Sequence, residues 1–202
     1  HFAEGRGEHG ELPPNNWEST FGGGAWTRVT EADGTPGQWY LHLFDTTQPD
    51  LNWENEEVRE EFRSILRFWL DRGVDGFRLD TVNYYFHDDE LRSNPAAKSA
   101  HQVMATDLYG MQQNIYNKTR PENLGFLQRL RTLTDRYGDI MMVGEVGEMG
   151  DRSIEIMAEY TAGTDRLHMC YSFAMLSEVF TAEHFRRCIA GFQKGAPDGH
   201  PY

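Results

Sequence analysis

Apolar positions recur at helical spacing in four stretches of the chain, and between them lie short apolar runs of strand length. Val58, Phe62, Ile65, Leu66, Trp69 and Leu70 lie on one side of a helix of about four turns that Gly73 stops. A second helix is predicted from Pro121, with Leu124, Leu127, Leu130 and Leu133 on one side and a stop at Gly138. "SIEIMAEYT" and "AEHFRRCIAGF" read as two more helices, the last with Phe185, Ile189 and Phe192 on its buried side. The runs between them, "VDGFRLD", "DIMMVGE" and "LHMCYSFA", read as strands, the first of them buried. Helix and strand alternating at this spacing imply parallel strands joined by crossovers, either a barrel or an open doubly wound sheet.

The first 52 residues differ. They are rich in Gly, Pro, Asn and Trp and hold short strand-like pieces such as "QWYLHLF" but no convincing helix, so a boundary is placed at residue 53: an irregular lobe over 1–52 and an α/β region over 53–202. Gly5, Gly7 and Gly10 satisfy a dinucleotide-binding spacing. No strand precedes them and "ELPP" follows, so they are read as turn glycines.

Parallel sheets gather their chemistry at the carboxyl ends of the strands. The first strand ends in Arg78-Leu-Asp80, and residues two apart share a face, so both charges enter one space. The second ends in Glu145, 65 positions later. Two carboxylates converging on one mouth suit acid and nucleophile chemistry at an acetal carbon. Arg78 would hold Asp80 ionised for attack. Glu145 follows an apolar run with no cation next to it in sequence, which leaves burial free to raise its pKa toward the acid role.

The formal charge of −13 over 202 residues argues against nucleic acid and leaves neutral ligands open. No apolar run reaches the ~18 residues of a membrane span. Cys170 and Cys188 are too few for a disulfide scaffold and fit reduced thiols in the cytoplasm. "EIMAEY" and "DIMMV" are read as core methionines, and Asn117-Lys-Thr as an idle glycosylation sequon.

"GFRLDTVN" resembles the second conserved region of the α-amylase family of glycoside hydrolases, and "VGEV" its third. "QPDLN" resembles the fifth-region motif of the oligo-1,6-glucosidase and α-glucosidase branch. "PPNNWESTFGGGAW", "YYFHDDELRSNP", "RPENL" and "MAEYTAGTDRLHMCYSF" extend the similarity to bacterial α-glucosidases over nearly the whole chain. The resemblance implies a partial (β/α)8 TIM barrel, strands four to six and the approach to seven, following the end of a small inserted domain.

By the same resemblance Asp80 matches the catalytic nucleophile, Glu145 the general acid/base and Arg78 the arginine that holds the nucleophile, giving retention of the α configuration. Thr81 matches a substrate-side position that carries Val in enzymes favouring α-1,6 bonds and Thr or Ala in those favouring α-1,4. This leans toward maltose-like or sucrose-like substrates. Phe44 matches an aromatic on the aglycone side, or is simply a core aromatic of the small lobe.

The implied partner is a small oligosaccharide or disaccharide, with no cofactor and no metal within this chain. The family's first region, with an Asn-His pair, and its fourth, with Asn-His-Asp, have no counterpart. Asp198 and His200 are not substitutes for the fourth. With no Met at position 1, the chain is therefore expected to be an internal piece. Alternatives are an amylase-family transglucosylase or sugar isomerase forming trehalulose or trehalose, and a non-catalytic interaction module. The survival of both carboxylates argues against the module.

Overall fold

In the computed structural model, which describes residues 1–98, 107–176 and 178–196, the chain forms two compact units. The first comprises His1–Val58 with Phe86–Arg120; the second comprises Arg59–Tyr85 with the chain from Pro121 onward.

The first unit contains a three-stranded antiparallel sheet of β1 (Phe2–Ala3), β2 (Trp26–Thr30) and β3 (Pro36–Leu41) in the order β1-β3-β2. Its core is aromatic: Trp17 stacks on Trp26 at 6.1 Å between ring centroids. The buried Asn15 accepts the Trp26 indole N–H at 2.8 Å. Gly7 and Gly10 take positive φ in a tight turn that closes with Arg6 and Leu12 exchanging backbone hydrogen bonds, so these glycines make a turn.

The single boundary expected at residue 53 does not include the return of Phe86–Arg120 to this unit. That return is held by polar contacts together with ring packing, His87 lying against Trp17 at 5.9 Å between centroids. Asn15 Nδ2 donates to the Leu91 carbonyl, Asn16 Nδ2 to that of Asn94, and the Trp17 indole to that of Arg92, at 3.0, 2.9 and 2.9 Å. The buried Asp88 carboxylate is paired with Arg92 and Arg120. Asn117 of the sequon is fully buried, its amide donating to Asn114 Oδ1.

The second unit is built on a parallel sheet of β4 (Gly76–Leu79), β5 (Met141–Val146) and β6 (Met169–Ser172), numbered by order in this chain. Four helices accompany the strands: α1 (Glu56–Leu70, whose first turn lies in the first unit), α2 (Glu122–Thr134), α3 (Gly150–Thr161) and α4 (Ala182–Gly195). Asn55 Oδ1 caps α1 by accepting the Glu57 N–H, and Gly73, at φ 84°, stops it as expected.

The apolar patterns place the elements correctly but overstate their burial. Only Leu66 and Leu70 of α1 are buried, and Ile65 and Trp69 are exposed. In α4 no residue is buried: Phe185 and Phe192 are half-buried and Ile189 is exposed, contrary to the expected buried side. Among the described residues β4 is an edge strand without a buried position, not the buried strand that was expected, whereas the central β5 is buried from Gly144 through Val146. An edge strand has a neighbour on one side only, and α4 approaches Ile154 of α3 through Gly191 and Gly195, which leaves Ile189 outside that contact. Of the expected core methionines Met142 and Met157 are fully buried and Met141 is exposed. The approach to a further strand, with Asp198 and His200, lies outside the described residues.

Candidate active site

The strand register brings the charged residues together. Leu79 lies opposite Gly144, so Asp80, one residue on, falls at the level of Glu145, which itself lies opposite Tyr171 of β6. Three polar side chains therefore stand in a row at the carboxyl ends of adjacent parallel strands.

Arg78 connects them. Its Nη1 is paired with Asp80 Oδ1, its Nη2 with Glu145 Oε2, and its Nε donates to the Tyr171 hydroxyl at 3.0 Å. The Tyr171 hydroxyl in turn donates to Glu145 Oε2 at 2.8 Å. The Tyr171 bond and the Asp80 carboxylate raise the guanidinium pKa still further, so it carries a full charge. Asp80 is 71% exposed along its side chain and Glu145 only 9%. One carboxylate faces the open mouth; the other is sunk in the strand ends.

Glu145 has the cation that its sequence neighbourhood lacks. Arg78 crosses from β4 and pairs with its Oε2. The strand pairing, invisible in linear sequence, supplies this charge.

The turn after Asp80 is held from beneath. Thr81 has φ 41° and ψ 48°, left-handed for a β-branched residue, and carries the chain into a 3-10 turn over Val82–Tyr84. The buried Asn83 Oδ1 accepts the Gly147 N–H at 2.9 Å, tying this turn to the residues just after β5. Asn123 of α2 donates to the Val82 carbonyl at 2.7 Å and to the Tyr160 hydroxyl at 2.9 Å, which joins the turn to α2 and α3. Gly144 leaves the space these contacts need: a Cβ there would stand 2.6 Å from Leu167 Cδ1 and 2.9 Å from Val82 Cγ1.

Phe44 belongs to the first unit, where it is half-buried and packs edge-on against Phe21 at 5.6 Å. Its site role rests on the resemblance alone. Tyr171, Asn83 and Asn123 were not singled out from the sequence. Asn83, a polar residue within the quoted "GFRLDTVN", was a readable signal; Tyr171 needed the register of β6. Among the described residues no cluster of three metal-ligating side chains occurs.

The described strands form a parallel sheet with a guanidinium-bridged pair of carboxylates at its carboxyl ends, the edge where parallel β/α folds place their chemistry. Residues 1–194 match the family described as alpha amylase, catalytic domain, and the chain belongs to that family. It is similar to a probable alpha-glucosidase of Rhizobium meliloti, 49% identical over 93% of this chain and 34% of that protein. An oligo-1,6-glucosidase of Heyndrickxia coagulans is 41% identical over 80% of this chain and 26% of its own. Among solved structures, the alpha-glucosyl transfer enzyme XgtA superposes with a TM-score of 0.85 and 44% identity, over 99% of this chain and 36% of that one. The chain thus spans 34%, 26% and 36% of the lengths of these three proteins.

Proposed function

We propose that these residues form part of the active site of a retaining α-glucosidase that releases glucose from short α-glucosides. The observation that carries the reading is Arg78 bridging an exposed Asp80 and a buried Glu145 at the ends of adjacent strands. Asp80, exposed at the strand end and paired with Arg78, attacks the anomeric carbon as the glycosidic bond breaks, and Glu145 delivers a proton to the departing oxygen. The glucosyl ester on Asp80 is then opened by water that Glu145, now the base, deprotonates. Two inversions give net retention.

Thr81 supports α-1,4-linked or sucrose-like substrates, and Phe44 is assigned to the aglycone side. The ligand is a neutral sugar, compatible with the net charge of −13. Cys170 and Cys188, both free, are consistent with a cytoplasmic location. The barrel is taken to contribute strands four to six here, after the end of an inserted domain. A second reading, transfer of glucose to another sugar instead of water, is favoured by the likeness to XgtA.

Proton NMR of nitrophenyl α-glucoside turnover by the protein expressed from its full open reading frame tests the proposal. Expected is α-glucose as the first new anomer. β-Glucose first would refute retention, and nitrophenyl diglucosides formed in place of free glucose would favour transfer.

A further inference from the structure

Glu145 receives two donors on the same oxygen. Arg78 Nη2 and the Tyr171 hydroxyl both meet Oε2, and among the described residues Oε1 has no partner. The direction of the Tyr171 bond follows from its other contact. Arg78 Nε can only donate, so the phenol oxygen accepts there and its own proton points at the carboxylate. The phenol is thereby held at both ends, and so is the carboxyl plane that it fixes.

We infer that Tyr171 is a positioning residue for Glu145, its hydroxyl anchoring Oε2 so that Oε1 is the atom that gives and takes the proton. The inference rests on Glu145 being the acid/base. It assigns the work within that carboxyl group: Oε2 stays bonded whether or not Oε1 carries a proton, so the group need not turn between the two halves of the reaction. The bond also favours the ionised form, which Glu145 must reach before it can act as base. Among the described residues the charged and titratable groups around Glu145 are Arg78, which pairs with it and with Asp80, Tyr171 from β6, and the buried Tyr85, which feels the charges of Asp80 and Arg78. Tyr84, from the turn between them, is directed instead at the Gly147 carbonyl at 3.2 Å.

Tyr171→Phe in the full-length protein removes one oxygen and keeps the ring. Expected is a fall in kcat of about ten- to a hundredfold on maltose, where the leaving group needs a proton, with KM little changed. A nitrophenyl glucoside, whose leaving group needs none, should lose less than about threefold in kcat/KM. The basic limb of the maltose kcat/KM profile should move up by about one pH unit, since a hydrogen bond to the anion is gone. Installing 3-fluorotyrosine at 171, a stronger donor of the same shape, should move that limb down, and keeps the test open if Tyr171→Phe does not fold. Equal losses on both substrates with an unmoved limb would overturn the role, as would unchanged kinetics. Glu145→Gln is run beside them: if it is leaving-group selective while Tyr171→Phe is not, the positioning role alone falls. If Glu145→Gln shows no selectivity, the acid reading falls and the positioning role with it.

Discussion

Gly144→Ala probes how closely β5 is packed against the turn that follows Asp80. The added Cβ would sit 2.6 Å from Leu167 Cδ1, 2.9 Å from Val82 Cγ1 and 3.3 Å from Cys170 Sγ. Carbon atoms prefer about 3.5 Å or more, so the two apolar neighbours must retreat by roughly 0.9 and 0.6 Å. Neither has room: Val82 is fully buried, Leu167 is 3% exposed, and Cys170 is fully buried beside them. The backbone at 144 is an ordinary strand position, so a side chain is excluded by space and not by φ.

Overpacking of this kind costs about 1 to 3 kcal/mol. Val82 is two residues from Asp80, and its carbonyl is held by Asn123, so displacement of the turn also disturbs the carboxylate that it carries. Urea unfolding monitored by circular dichroism should show a stability loss in that range, about 2 to 4 °C in Tm per kcal/mol in a domain of this size. The kcat/KM for maltose should fall with it, by roughly tenfold or more if Asp80 is displaced. A variant within about 0.5 kcal/mol of the parent and fully active would show that the space under the turn is not limiting.

His87 is buried, and burial pushes its imidazole pKa down to about 3. The unfolded chain binds that proton near pH 6.5 and the folded one does not, so stability should fall as pH drops below 6.5, by about 2 to 3 kcal/mol at pH 4.5. His87→Phe should abolish that part of the acid sensitivity in pH-dependent urea titrations; an unchanged slope would mean that His87 protonates in the fold. Thr81→Val should shift relative kcat/KM from maltose toward isomaltose by about five- to thirtyfold, a contact of about one to two kcal/mol. An unmoved ratio would leave Thr81 with only its turn.

The two carboxylates and Arg78 were legible because each closes a short apolar run, and a run with a charge at its end is a local pattern. The bridge of Arg78 to Glu145 was not legible, since it depends on β4 and β5 pairing in a register that no linear spacing encodes. Tyr171 shares that difficulty across β6. The return of Phe86–Arg120 to the first unit was missed for another reason: Asn15, Asn16 and Trp17 hold it through side-chain bonds to backbone carbonyls, which carry no periodicity. Helix α4 was placed by its pattern, but its Ile189 is exposed, because periodicity names a face and not what covers it.

The role of Asp80 as nucleophile is tested most directly by trapping the ester. The full-length protein is treated with a 5-fluoro-α-glucosyl fluoride, which slows the second displacement more than the first, digested with trypsin and sequenced by tandem mass spectrometry. The peptide running from Leu79 to Arg92 also contains Asp88, Asp89 and Glu90, so fragmentation must place the sugar. The account predicts one fluoroglucosyl group, on Asp80. A label on Glu145 or on any other residue, or turnover with no covalent label and β-glucose as the first product, would contradict it.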